Sequence, residues 1–432
     1  MEKGKDITVH TSLIRKVTLA SMLGTIFDYY DFFITGTAAA SVWPAVFFPT
    51  STFATAVLLS FSVYGIGFFS RPIGSYLFGH FGDKRGRKEI LVLTLILAGL
   101  STLGMGLTPS YYTLGLIAPI ILTIFRFIQG IGLGGEWGGA TTWITEVAAK
   151  GRRGFWAGFV PLSVFIGLLL ADITLLGLQS FFPRDFYLSI GWRIAFIIGT
   201  IIVLIGAIIR FRLSESPLFV RIVESKMIER APANKVLKEY WRKILLLAGS
   251  VMYITAIGYL TQTFSISYLS ALKVPPPYTI ISVIFSTIGG IITVFLGMYV
   301  SDIIGRKKTI MIGQLLVIIL GIPIFLMIGT GDFLLSRIAI ILGTTIEGFG
   351  FAAFGAFMAE QFPTKYRYSG SGLSYQIATP LAGGLAPIIA SQLFNIFGTH
   401  AGIYIGFEVF AYSLIGFICM LFTKETKGEE LK

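Results

Sequence analysis

The residues of this chain that could do chemistry are ionisable groups set in apolar sequence, where a charge is costly and is retained for function. Asp28 and Asp31 stand three apart, on one face of a helix. Two carboxylates that close disfavour double ionisation, so one can hold a proton near neutral pH; alternatively, one neutralises a nearby arginine. Arg126 and Glu136 stand ten apart, about 15 Å along a helix, too far for a direct pair. The forked donors of Arg126 suit a substrate carboxylate, and a structural ion pair is its other reading. Asp31 and Arg126 lie at similar depth from their helix ends, which leaves a pair between them open. Glu136, among Gly134, Gly135, Gly138 and Gly139, faces a tight helix seam or a cavity and is a proton-coupling candidate with Asp28 and Asp31. Arg71, Asp172 and Glu347 are further buried charges. Arg71 either pairs with an acid of a neighbouring span or touches substrate. Tyr259, Thr261, Gln262, Tyr375 and Gln376 interrupt apolar runs, as substrate contacts or interhelical hydrogen bonds.

These residues need long apolar elements to carry them. The 432 residues are 54% hydrophobic before 50 glycines are counted, and 13% charged; soluble domains reach roughly 45–50% apolar with glycine included. No Asp, Glu, Lys or Arg occurs in 32–70, 90–125, 244–272, 274–301, 309–331 or 368–407. A membrane helix needs about 20 such residues, and the segments lack the alternation of a membrane barrel. The expected fold is an all-α membrane protein of twelve transmembrane helices, near 17–40, 54–79, 89–108, 115–146, 154–179, 190–210, 244–270, 278–300, 308–328, 334–360, 369–396 and 402–422. The first is read as a retained span and not a cleaved signal, because Asp28 and Asp31 would be odd in a signal core.

With both termini in the cytoplasm, 28 of the 34 Lys and Arg fall on the cytoplasmic side, nine of them in 210–243. This is the positive-inside pattern. It accounts for the net charge of +12 through the membrane and not through nucleic acid. The location expected is the cell membrane. Lone Cys419 excludes a disulfide framework, and His10, His80 and His400 are too scattered for a metal site. No phosphate-binding G-x-x-x-x-G-K-[ST] loop is present. No cofactor is expected.

The charge-rich stretch 212–243 divides the chain into halves at 1–211 and 244–432, and the halves echo each other. Gly79 to Lys88 (GHFGDKRGRK) follows the second span; Ser301, Asp302, Gly305, Arg306 and Lys307 follow the eighth in the same order. Arg126/Glu136 recurs as Arg337/Glu347, and Glu146/Arg153 as Glu360/Arg367. Three pairs in register point to two pseudo-symmetric six-helix bundles with a site between them.

The string at 79–88 resembles the loop signature of the major facilitator superfamily. Arg126 to Gly139 (RFIQGIGLGGEWGG), Phe27 to Phe33 (FDYYDFF) and Phe362 to Gly370 (FPTKYRYSG) are similar to its metabolite:proton symporters, which carry organic acids or zwitterions such as proline and betaine. Asp28 stands where that group often has Glu. Glu215-Ser216-Pro217 is shared with sugar porters, but their Gln-Gln pair and proline-rich tenth span are lacking. The resemblance implies a conformational latch of Gly79, Asp83, Arg87 and Lys88, with a second copy at Asp302 and Arg306. Asp83 would meet the N-terminus of the eleventh span near Tyr368, where the helix dipole favours negative charge. It also implies a central substrate site, for which Arg126, Tyr30, Tyr259, Gln262, Tyr375 and Gln376 are the candidates.

The expected function is proton-coupled symport of a small organic acid or zwitterion by alternating access, by a protein working as a monomer in the lipid bilayer. A facilitator or exporter on the same fold is the alternative. A membrane enzyme would need a catalytic constellation that the short outer loops do not carry, and a nutrient sensor would need longer tails.

Overall fold

The computed structural model describes residues 2–211, 224 and 232–431, with side chains at all of these except 2–12 and 87. Six long helices precede the central gap: α1 Glu2–Ser41, α2 Phe53–Arg85, α3 Arg87–Leu107, α4 Ile117–Val147, α5 Phe159–Phe181 and α6 Trp192–Phe211. α7 runs Pro232–Tyr259, widens into a π turn at Leu260–Phe264 and ends as Ser265–Ala271. α8 is Pro276–Ile304, α9 is Arg306–Gly329, and α10 is Phe333–Phe351 followed by Phe354–Glu360. α11 is Arg367–Ala378, a π turn at Thr379–Gly384 and Leu385–Phe397; α12 is Ala401–Leu421.

Ten stretches of the described chain are long and apolar enough to cross a membrane. One of them, Thr364–Leu421, holds both α11 and α12, and α1 completes the twelve. α7 begins at Pro232, so the end of the charge-rich segment 212–243 is its first turns. Residues 212–223 and 225–231 lie outside the described ones.

Local chemistry sets the helix ends. Thr52 caps α2 through its hydroxyl to Thr55 N, at 3.3 Å, and Asp332 caps α10 by accepting from Leu335 N at 2.8 Å. α2 passes into α3, and α8 into α9, through one glycine each. Gly86 and Gly305 have φ of 122° and 107°, a backbone region that a side chain strongly disfavours. The doubled loop string is thus a doubled turn.

Helices 1–6 pack mainly on one another, as do helices 7–12. The crossing of α2 with α4 and that of α8 with α10 use glycine in the same way. A Cβ on Gly130 would strike Gly67 O, and one on Gly348 would approach Gly290 O. Small residues let backbones meet where lipid supplies no hydrophobic drive. The two halves meet along α2–α11, α4–α11 and α5–α8. Large apolar side chains such as Leu100, Ile120, Ile208, Ile292 and Ile319 point outward, so a lipid-facing surface encloses a polar interior.

Candidate functional site

Arg126 lies fully buried on α4 opposite α2, in space that exists because residue 67 is glycine; a Cβ there would run into the guanidinium. Its Nε donates to Tyr64 O at 3.1 Å and its Nη1 donates to Gln129 Oε1. The Gln129 amide nitrogen donates in turn to Asp31 Oδ2 at 2.9 Å and Thr102 Oγ1 at 2.8 Å. The network fixes the amide orientation, because only its oxygen can face a guanidinium and only its nitrogen a carboxylate. The Asp31–Arg126 pair left open by the sequence is therefore a relay through Gln129. Arg126 Nη2 has no hydrogen-bond partner. Its Cζ lies 4.5 Å from the centroid of the Tyr64 ring and 4.8 Å from that of Phe32.

Arg71 does not pair with an acid of the fourth or eleventh span. Its Cζ sits 4.3 Å from the Phe32 ring centroid and 4.7 Å from that of Phe68, within reach of the Tyr259 hydroxyl. Among the described residues no carboxylate lies within 4.0 Å of Arg71 or Arg126.

Glu136 has a different partner from any the sequence offered. Arg210 of α6 grips both its oxygens, and the Thr25 hydroxyl stands 3.5 Å away. Both side chains are buried, and Gly24 leaves the room that Arg210 fills. Arg210 therefore does not belong with the basic residues of the cytoplasmic segment. The signal was there: it closes the uncharged run 194–209 and so still lies in the membrane. The glycines around Glu136 make a seam and not a cavity. Gly134 meets Arg71 O on α2, and Gly138 meets Gly372 on α11. Asp28 lies beside the Glu136–Arg210 pair with both oxygens buried and unpartnered. Asp172 accepts from Thr37 Oγ1 at 3.1 Å.

Between the halves is a cavity of about 10 Å³, roughly one water, lined by Tyr29, Phe33, Tyr259, Gln262, Glu347 and Tyr375 among others. Gln262 Nε2 donates to Glu347 Oε2 at 2.6 Å, and Gly258 lets the carboxylate approach. Tyr375 stacks on Trp137 with ring centroids 4.0 Å apart. Two candidates fall away from this cavity. Tyr30 turns into the first bundle, where its hydroxyl donates to Ala195 O at 3.4 Å; Gln376 lies in the α4–α11 seam and donates to Leu133 O at 3.3 Å. Both positions are buried and polar, and composition does not distinguish a seam from a cavity.

One end of the bundle gathers the loops near residues 86, 150, 305 and 363 and the C-terminal residues; it is the basic face. Here Asp83 Oδ2 accepts from Ser369 N at 2.9 Å and Ser369 Oγ at 2.6 Å, at the start of α11. Asp302 repeats this on the other half, accepting from Gly154 N at 3.0 Å and Phe155 N at 2.9 Å just before α5. Arg306 braces Asp302 at 2.8 Å. Gly79 lets Ser369 come close, and Lys88 Nζ lies 5.2 Å from the Phe211 ring centroid; the Arg87 side chain is outside the described ones. Two crossings escaped the sequence. Glu146 pairs across the halves with Arg367 at 3.1 Å, both fully buried. The C-terminal residues also cover the second copy: Glu425 caps α9 at Arg306 N and Lys307 N, and Glu429 O accepts from Arg153. At the opposite end a vestibule of about 840 Å³ opens between the halves, lined by residues including Phe48, Tyr112, Arg184 and Pro276. Below it Ser267 Oγ donates to Ala40 O at 2.7 Å, joining α7 to α1.

Comparison with known proteins places this architecture. The family model described as Major Facilitator Superfamily matches residues 21–387 and 244–432. The inner membrane metabolite transport protein YhjE of Escherichia coli K12 is 35% identical over 422 residues, covering 96% of this chain and 95% of its own. The shikimate transporter of the same organism is 32% identical over 401 residues, covering 90% of each. Among solved structures, the proton:xylose symporter XylE bound to 6-bromo-6-deoxy-D-glucose superposes with a TM-score of 0.76 at 19% identity, covering 98% of both chains.

Proposed function

We propose, for a chain that belongs to the Major Facilitator Superfamily and is a multi-pass membrane transporter and not an enzyme, that its particular work is symport of a small organic anion with protons. The observation that carries this reading is the Asp31–Gln129–Arg126 relay, which ends in a bare Nη2. A substrate carboxylate binding Arg126 competes with Gln129 for the guanidinium. The amide is thereby loosened from Asp31, whose other carboxylate oxygen is buried without a hydrogen-bond partner. A proton on Asp31 resolves that, so anion and proton are favoured together. Asp28 and Glu347 are further buried acids without a cation at bonding distance among the described residues and are candidate second proton carriers.

The rest of the cycle is alternating access. Asp83–Ser369, Asp302–Gly154 and Glu146–Arg367 hold the basic face shut and must part for it to open. The excess of Lys and Arg assigns that face to the cytoplasm, so the 840 Å³ vestibule faces outward. Substrate shifts the balance between the two states only by binding one better than the other. Kinship with a shikimate transporter agrees with an organic-acid substrate.

The test is uptake of labelled organic acids, betaine, proline and sugars into proteoliposomes, with and without an acid-outside gradient. An organic acid should accumulate only with the gradient and be released by an uncoupler. Uptake of a neutral sugar alone, indifferent to pH, would overturn both the anion and the proton claims.

A further inference from the structure

Among the described residues, five arginines are exposed by 2% or less: Arg71, Arg126, Arg210, Arg306 and Arg367. Three of them have a carboxylate at bonding distance. Arg210 has Glu136, Arg306 has Asp302 and Glu360, and Arg367 has Glu146. This protein therefore neutralises its buried guanidinium groups as a rule, as desolvation requires. The two exceptions are Arg71 and Arg126, and they stand together. Phe32 is shared: its ring centroid is 4.3 Å from Cζ of Arg71 and 4.8 Å from Cζ of Arg126. The guanidinium groups thus lie within the sum of those distances of each other. Each has a buried nitrogen with no acceptor, Nε of Arg71 and Nη2 of Arg126. Ring faces attract a cation, but they do not discharge it.

We infer that Arg71 is a second anion anchor, and that the central site is built for a substrate with two anionic groups, a short dicarboxylate, one group on each arginine. This rests on the organic-anion reading above. Charge balance favours it. With a proton on Asp31, two guanidinium groups face the substrate and a dianion neutralises both. A monoanion or a zwitterion leaves one of them buried and bare. The spacing also favours it, because two cations that share one ring suit the two ends of a short chain. Tyr259 makes the site accessible in one state only. It comes from α7 in the opposite half, and its ring packs 5.6 Å from Phe32 and 5.0 Å from Phe68. The aromatic lid therefore lifts off both arginines when the halves part, and the π turn starting at Leu260 gives α7 a place to bend.

The experiment measures binding to the purified full-length protein with intrinsic tryptophan fluorescence and thermal shift as readouts. The probes are succinate, its monoamide succinamate, proline and xylose. Wild type should bind succinate at least 10-fold more tightly than succinamate. Arg71→Gln should erase that preference while leaving succinamate affinity within 2-fold, which also shows that the variant is folded. Arg71→Lys should retain part of the preference. Arg126→Gln should lose both anions. If wild type binds succinamate as tightly as succinate, or if Arg71→Gln keeps the preference, the second anchor is wrong and the organic-anion reading survives. If wild type binds xylose or proline but neither anion, both readings fall. Should Arg71→Gln not fold, the wild-type ratio and Arg71→Lys decide alone.

Discussion

Arg126 and Glu136 in α4 and Arg337 and Glu347 in α10 share a spacing of ten residues, yet they work in opposite ways. In the first half both members are sunk in the bundle: Glu136 is closed by Arg210 of α6, and Arg126 is held open by Gln129. In the second half Arg337 sits half-buried near the outer end, its Nε 3.3 Å from Ser282 Oγ and its Cζ 4.1 Å from the Phe333 ring centroid. Glu347 keeps its depth but meets an amide, Gln262, and no cation. The helices around both pairs cross on glycines, Gly67 with Gly130 and Gly290 with Gly348, so both halves keep a close crossing while the charges diverged. One half holds the two arginines proposed to face the substrate. The other supplies a hydrogen-bonding wall and the tyrosine that covers them.

The largest contrast should come from breaking the two glutamates. Glu136→Gln leaves Arg210 buried with no carboxylate at bonding distance, and one-sided loss of a buried pair costs about 3–5 kcal/mol. Thermal melting of the detergent-solubilised variant should fall steeply. Glu347→Gln keeps the shape and can still bond Gln262, so its melting should move by less than about 1 kcal/mol; equal losses would void the distinction. Next come the two arginines. Arg126→Gln should reduce uptake by about 100-fold, as expected for loss of a charged hydrogen-bond donor to substrate worth about 1.5–3 kcal/mol. Arg337→Gln, at the outer end, should stay within about 2-fold in the same assay. The smallest effects belong to the two copies of the latch. Asp83→Asn and Asp302→Asn each weaken a helix-start contact worth about 0.5–2 kcal/mol. Each should raise accessibility of the basic face to a thiol reagent, read at a cysteine placed in the α4–α11 seam. Asp302→Asn should do less, because Glu425 and Glu429 still cover that copy. Equal labelling of the two would mean that the C-terminal cover contributes nothing.

Much of this was legible because lipid is a strict solvent. A run free of charge can only be a span, and the doubled Asp-x-x-Gly-Arg-Lys loop could only be a repeated turn, as Gly86 and Gly305 bear out. Gln262 falls within the π turn of α7 and Tyr375 and Gln376 just before that of α11, but nothing in the sequence announced either turn. What the sequence hid was helix rotation and partner choice. Tyr30 and Gln376 have the same composition signal as Tyr259 and Gln262, and only the angle of the helix sends two into seams and two to the cavity. Arg210 sat next to a basic run and was counted with it. Glu425 lies in a tail with no periodicity, and its contact with α9 depends on where the chain returns after twelve helices.

In the proposed cycle, coupling turns on the relay that links Arg126 to Asp31 through Gln129. Its most direct test is transport by the Asp31→Asn variant in proteoliposomes, comparing gradient-driven accumulation with exchange of internal for external substrate. An asparagine can still hydrogen-bond to Gln129 but cannot take up a proton. Exchange should persist near the wild-type rate while accumulation under an acid-outside gradient disappears. Accumulation at the wild-type level would show that Asp31 does not carry the coupled proton, and would contradict the central claim.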